Sequence, residues 1–288
     1  MILVTGATGH LGNAAIQSLL NKGVRANEIT ALIRDENKAI HLKNQGIQLR
    51  IGNYNDYNSL KAALQGVEKL LLVSSNEVAD SLIQQKNVID AAKENGVQHI
   101  VYTSMEIKNY DTTAIPFVSQ VHKTTTDYLK ETGIAYTIFN DSLYADSIEK
   151  FSGETFLESG IFFAAGDGKV PWVPRVEIGE AAAVVLTTRG HEHKVYAIAA
   201  GTAYSFEEIA GMLSVITGNE VKYLKPEVNA YIDALGKSGI PEEIVSFLSG
   251  FGIAIANGEF DTHRSDLENL LGRKPMELKE FLKITYGK

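Results

Sequence analysis

Residues 1–12 read MILVTGATGHLG. Three glycines, Gly6, Gly9 and Gly12, stand three apart directly behind the apolar run Ile2–Val4. A glycine triplet is weak evidence alone, but here a strand-like run precedes it and a helix-like run (Ala14, Ala15, Leu19, Leu20) follows. That is the context of a phosphate-binding turn. Gly6 permits the tight turn, Gly9 lets the backbone approach a pyrophosphate, and Gly12 allows helix to pack closely on strand. The amides from Thr8 to Leu11, with Ala7 beside them, then sit at a helix N-terminus, where the dipole favours negative charge. The bland alternative is a tight turn that needs glycine for packing alone.

Outward from this stretch the first 140 residues alternate. Short β-rich runs recur at Ile29–Ile33, Ile47–Ile51, Leu70–Val73, Ile100–Tyr102 and Tyr136–Phe139, with helical periodicity between them. Gly23, Gly46, Gly66, Gly96 and Gly133 punctuate the passage from helix to next strand, as left-handed C-caps do. Strand–helix alternation implies right-handed crossovers and a parallel sheet with helices on both faces. The expected fold is therefore α/β, a Rossmann-type doubly wound sheet over residues 1–140. Residues 141–288 are expected to form a smaller, mostly helical substrate lobe packed on it, with some segments returning to the first part. In that lobe Glu177–Thr188 reads as helix and Lys194–Ala199 as strand. Ser205 with Glu208, and Ser265 with Glu268, have capping-box spacing.

Composition narrows the function classes. The net charge of −8 argues against nucleic acid, because phosphate binding needs a basic surface. There is no cysteine, which removes disulfide and thiolate chemistry. No stretch approaches the ~18 apolar residues of a membrane span, and the opening lacks the basic leader of a signal peptide. The expectation is a cytoplasmic protein with a small-molecule substrate and no membrane partner. A homo-oligomer or a regulatory protein partner stays open.

At the end of the second strand a chain selective for NAD carries an acid about 20 residues past the glycines, on the ribose 2′-hydroxyl. Here ALI is followed by Arg34, then Asp35. A guanidinium fork suits a 2′-phosphate, so NADP(H) is favoured over NAD(H). The alternatives are a solvated Arg34 and an Asp35 that only caps the next helix.

With these residues in view, the chain resembles the NmrA-like branch of atypical short-chain dehydrogenases/reductases. Within that branch it is similar to the NADPH-dependent quinone oxidoreductase and triphenylmethane-dye reductase type. The resemblance rests on TGATGHLG, ALIRDENKA, GVEKLLLVSS, AAKENGVQHIVYTS, GIAYTIFNDSLY, AAGDGKV and LGRKP, nearly the whole chain. It implies cofactor contacts at Gly6, Thr8, Gly9, His10 and Leu11, and Arg34 at the adenosine 2′-phosphate. It places Ser74 and Ser75 beside the ribose and pyrophosphate, and Thr103 and Ser104 near the nicotinamide. The segment Phe139–Tyr144, with Asn140 and Asp141, would pass close to the nicotinamide ring and open the substrate lobe, and Met105 and Tyr144 are candidates on the substrate side. The family pattern there is closer to Arg-Asn-Gly-Trp-Tyr. This chain keeps Asn140 and Tyr144 but carries Phe139, Asp141, Ser142 and Leu143.

Most short-chain dehydrogenases use a tyrosine and a lysine four residues apart, the lysine lowering the tyrosine pKa. That pair is absent: four before Lys123 stands Ser119, and four before His122 stands Val118. A quinone tolerates the loss, being a strong hydride acceptor, and direct transfer from NADPH needs neither flavin nor metal. In the related reductases a histidine stands where His122 stands. Two readings fit it: a group that orients cofactor or stabilises charge, or a helix residue satisfied by a carbonyl. Tyr144 either meets a flat substrate or packs between lobes. Trp172, in KVPWVP, either lines an apolar pocket or is core. His191 and His193 in GHEHK lack a third ligand and read as a solvated turn.

The first functional expectation is an NADPH-dependent oxidoreductase acting on quinones or similar conjugated electrophiles. The second is an NADP-binding regulator without turnover. The third, a nucleotide-sugar epimerase, is disfavoured by the missing pair.

Overall fold

Among the described residues (1–75, 77 and 79–287 of this computed structural model), seven strands form one parallel sheet in the order β3-β2-β1-β4-β5-β6-β7. They are β1 Ile2–Val4, β2 Ile29–Ile33, β3 Gln48–Ile51, β4 Lys69–Leu72, β5 His99–Met105, β6 Ala135–Asp141 and β7 Lys194–Ile198. Helices α1 His10–Asn21, α2 Ile40–Asn44, α3 Tyr57–Ala63, α4 Ser81–Glu94 and α5 Pro116–Glu131 make the crossovers of the first part. The order reverses between β1 and β4, which sets the ligand crevice at the C-terminal ends of those strands. The five helix-ending glycines all have positive φ, as their spacing predicts.

The remainder comprises α6 Ile148–Ser152, α7 Phe156–Ser159, α8 Arg175–Thr187, α9 Phe206–Thr217, α10 Val228–Lys237, α11 Glu242–Ala256, α12 Leu267–Leu271 and α13 Leu278–Tyr286. Two of its segments return to the sheet. Strand β7 pairs in parallel with β6, Phe139 opposite Tyr196 and Asp141 opposite Ile198. Helix α8 crosses back over α1 so closely that a Cβ on Gly179 would meet Ala14 at 2.7 Å. Arg273, in the LGRKP segment, fixes α8 by bonding both oxygens of buried Glu177, at 2.9 and 3.0 Å. What is left forms a helical lobe around an aromatic core of Phe163, Trp172, Phe206, Phe251 and Phe260.

Two expectations about helix starts separate here. Ser205 and Glu208 form a full capping box on α9. Ser265 and Glu268 do not. Asp266 occupies the N-cap of α12, and its carboxylate accepts from the Ala197 amide at 2.8 Å. Ser265 Oγ donates to the Ala199 carbonyl at 2.7 Å and accepts from the Leu267 amide at 3.2 Å, not from the Glu268 amide that a capping box requires. The tie to β7 therefore outweighs the local cap.

Strand β5 is longer than its apolar stretch, because its polar residues find partners on other elements. His99 Nε2 lies 2.9 Å from Thr137 Oγ1 on β6. Burial pushes the His99 imidazole down to about 4. No helix of the described residues is long and apolar enough to cross a membrane.

Two tests follow from this packing. A Cβ on residue 12 would lie 2.3 Å from the Gly6 carbonyl oxygen, so Gly12→Ala forces backbone apart. We expect a loss of about 3 kcal/mol in urea unfolding, with a lower Tm. The second concerns acid. The folded His99 resists the proton that the unfolded chain takes up below about pH 6.5, so stability falls from there to about pH 4. His99→Gln should flatten that fall by on the order of 3 kcal/mol in pH-dependent unfolding.

Candidate functional site

The glycine turn lies at the C-terminal end of β1, beside the switch point. Gly6 adopts φ +58°, which disfavours any side chain, and the Gly9 amide donates to the Gly6 carbonyl at 2.9 Å. A Cβ on Gly9 would crowd that carbonyl at 3.2 Å. Helix α1 starts at His10 with no side-chain cap and no acid in its first turn. Its leading amides, at His10, Leu11 and Gly12, thus lack intrahelical partners. Thr8, Gly9 and His10 are exposed around them, while Ala7 and Leu11 are buried beneath. The turn is an open cradle of donors and fits a pyrophosphate group.

Arg34 leaves the end of β2 with its side chain 72% exposed, and its Nη1 lies 3.1 Å from Glu77 Oε1. Asp35 caps the short turn after it by accepting from the Asn37 amide at 2.9 Å. Asp35 is thus turned to its own backbone, and Arg34 carries the exposed charge at the strand end.

The ends of β1, β4 and β5 are tied by threonines. The Val73 amide donates to Thr5 Oγ1 and the Ser74 amide to Thr103 Oγ1, both at 2.9 Å. Thr103 and Ser104 are buried, with Ser104 Oγ 3.4 Å from Thr126 Oγ1. Ser74 and Ser75 are half-buried above them, and Ser75 Oγ donates to Gln84 Oε1 at 2.5 Å.

His122 hydrogen-bonds through Nδ1 to the buried Tyr102 hydroxyl at 3.1 Å, not to a carbonyl. Burial pushes its imidazole down to about 4, so it is neutral at pH 7. It borders a narrow cleft with Ser75, Gln85, Phe117, Val118 and Val121. Phe117 is partly exposed at its mouth and packs on Phe247 of α11. Neither phenylalanine stood out in the sequence, because only the tertiary fold brings α5 and α11 together.

Strand β6 carries the other half of the candidate site. Phe139 is fully buried and Asn140 half-buried, with Asp141 last in the strand, opposite Met105 of β5. The Tyr144 hydroxyl lies 3.0 Å from Asp141 Oδ2. Tyr144 packs on the apolar cluster that contains Ala7 and Leu11 of the glycine turn. The Arg175 guanidinium stands over its ring, 4.4 Å from the centroid. Burial pushes both Asp141 and Tyr144 well above their ordinary values. No hydrogen bond joins His122 to Tyr144 among the described residues.

Trp172 departs from its pocket reading. It is fully buried among Phe151 and Phe206, and its indole donates to the Tyr204 carbonyl at 3.3 Å. Its bulk fills the helical lobe and leaves it no open face. His191 bonds Tyr196 and Thr188, and His193 packs edge-on against Tyr136.

Comparison with known proteins gives this geometry a context. The chain is 37% identical to quinone oxidoreductase 2 of Escherichia coli (strain K12) over 281 residues, 97% of this chain and 96% of that one. A solved structure of an NADPH-dependent quinone oxidoreductase from E. coli, complexed with NADPH, superposes with a TM-score of 0.91 at 35% identity, covering 100% of both chains. The triphenylmethane reductase of Citrobacter sp. complexed with NADP(H) gives 0.89 at 36% identity, covering 99% of both. The NmrA-like family itself matches from residue 1 to residue 282. By that match, and by likeness over its full length, the chain belongs to the NmrA-like family.

Proposed function

We propose that this protein is an NADPH-dependent reductase that passes hydride directly to a quinone or a similar flat, conjugated electrophile. One observation carries the reading: an open glycine cradle, at the switch point of the sheet, in a chain that matches NADPH-dependent reductases from end to end. NADPH, when bound, supplies the hydride. The chain's own residues bind and orient. Gly6, Thr8, Gly9, His10 and Leu11 would hold the pyrophosphate, with Gly12 keeping α1 close behind them.

Arg34 would take the 2′-phosphate. Its present partner, Glu77, is an exposed carboxylate, and such a pair is worth about 0–1 kcal/mol. A phosphate held by a guanidinium fork is stronger and would displace it. Ser74 and Ser75 would face the ribose, and Asn140 the nicotinamide side. Thr103, buried under Ser74, would support that contact rather than make it. Met105 and Tyr144 would border the acceptor. His122, neutral and bonded to Tyr102, would shape the α5 wall without carrying charge. The scheme requires no flavin and no metal.

Two measurements test the reading. NADPH consumption by the purified protein should appear with a panel of quinones and dyes and change little with added flavin. Tight NADPH binding without turnover of any acceptor would overturn it in favour of a regulator. Arg34→Ala should weaken NADPH binding by about 10- to 100-fold in a titration and leave NADH unchanged.

A further inference from the structure

We propose that Asp141 and Tyr144 form a carboxylic acid–tyrosine pair that supplies the proton of the reduction, in place of the tyrosine–lysine pair this chain lacks. The proposal rests on the reductase reading above. It assigns Tyr144 as the donor to the acceptor's oxygen and Asp141 as the positioning residue behind it.

The geometry carries the argument. The Asp141 side chain is 3% exposed. Among the described residues Oδ2 has one partner, the Tyr144 hydroxyl at 3.0 Å, and Oδ1 has none. Among the described residues no lysine or arginine makes an ion pair with it. One cation acts on it, the Arg175 guanidinium, whose attraction opposes burial without overcoming it; the other groups around it are paired or uncharged. Arg175 of α8 lies over the Tyr144 ring, donates its amide to Asp146 Oδ2 at 2.9 Å, and bonds Ser147 Oγ through Nη2 at 3.2 Å. Glu106, just beyond β5, is paired with Arg264 at 2.6 Å. Tyr102 of β5 is bonded to His122.

A buried carboxylate with one neutral partner and an orphaned oxygen is costly, so the group takes up a proton. The orphan Oδ1 is tolerable as the carbonyl oxygen of a neutral acid. In the structure the Tyr144 hydroxyl donates to Asp141 Oδ2 at 3.0 Å; with the acid proton on Oδ2 the same contact reverses, and Asp141 donates to the Tyr144 oxygen. The tyrosine's own O–H is released to point at a ligand. Burial holds the phenol protonated. Lysine makes a tyrosine exchange protons in either direction. Here two neutral acids stand in series, so a proton given by the phenol is replaced from the carboxylic acid behind it.

The step balances as follows. The acceptor gains a hydride, with its electron pair, from NADPH and is reduced, and the nicotinamide is oxidised. The acceptor's oxygen forms a bond to the Tyr144 proton as the phenol O–H breaks. The phenol oxygen takes the Asp141 proton, leaving a carboxylate that is reprotonated from solvent. The sum is acceptor, NADPH and one proton going to reduced acceptor and NADP+.

Asp141→Asn and Tyr144→Phe test this with wild type. Infrared spectra of wild type at pH 7 should show a protonated-carboxyl band that Asp141→Asn lacks. A raised folded-state pKa withholds stability as pH rises above the unfolded carboxyl value, so Asp141→Asn should raise Tm at pH 7–8. With a quinone, Tyr144→Phe should lower kcat by on the order of 100-fold at unchanged NADPH affinity. Wild-type kcat should fall at high pH, and Asp141→Asn should lose that limb. Wild-type turnover with no Asp141 carboxyl band, or an Asp141→Asn pH profile like wild type, overturns the pair alone. Absence of wild-type turnover overturns the reductase reading itself.

Discussion

The closeness of α1 to the turn before it is the constraint on which the rest depends. The Gly6 carbonyl fills the place where a side chain on residue 12 would begin. That approach aims the start of α1 at the crevice and leaves its leading amides without partners. It also brings α1 near enough to the sheet for α8 to lie across it. The second approach has its own small residues, Gly179 against Ala14. Arg273 then holds α8 through the buried carboxylate of Glu177. A glycine in the first turn and an arginine near the C-terminus thus serve one piece of packing.

The C-terminal edge of the sheet shows a related economy. Strand ends expose amides that must be satisfied, and here threonine hydroxyls of neighbouring strands accept them. Thr5 and Thr103 rigidify the floor on which Ser74 and Ser75 stand. The chemistry above that floor is set by what is left unsatisfied. Helix α1 offers donors and no acid, which suits an anion. The end of β6 offers a buried carboxyl with no ion-pair partner among the described residues, which suits a neutral acid. The two lie around one apolar cluster that includes Ala7, Leu11 and, at its margin, Tyr144.

Much of this was legible in the linear pattern, and the exceptions have physical causes. The apolar runs located every strand, yet Ile100–Tyr102 understated β5, which extends to His99 and Met105. His99, Thr103 and Ser104 look unsuited to a buried strand until Thr137, Ser74 and Thr126 are brought beside them. Ser265 and Glu268 had the spacing of a cap, but Asp266 is drawn to β7 and takes the position. Trp172 carried no local sign of which surface it faced. Membership of the NmrA-like family was readable from the motifs because they are local and contiguous.

The sequence by itself determined the alternation of strand and helix, the glycine turn, the absence of a tyrosine–lysine pair and the position of Arg34. All of these depend on near neighbours in the chain. Only the tertiary structure decided the electrostatic state of the end of β6. Asp141 is a plain carboxylate in sequence, and its environment depends on β5, β7 and α8 closing around it, with Arg175 of α8 over the Tyr144 ring and not in an ion pair with the carboxyl. Burial and the choice of partner are properties of segments far apart in the chain, so spacing cannot state them.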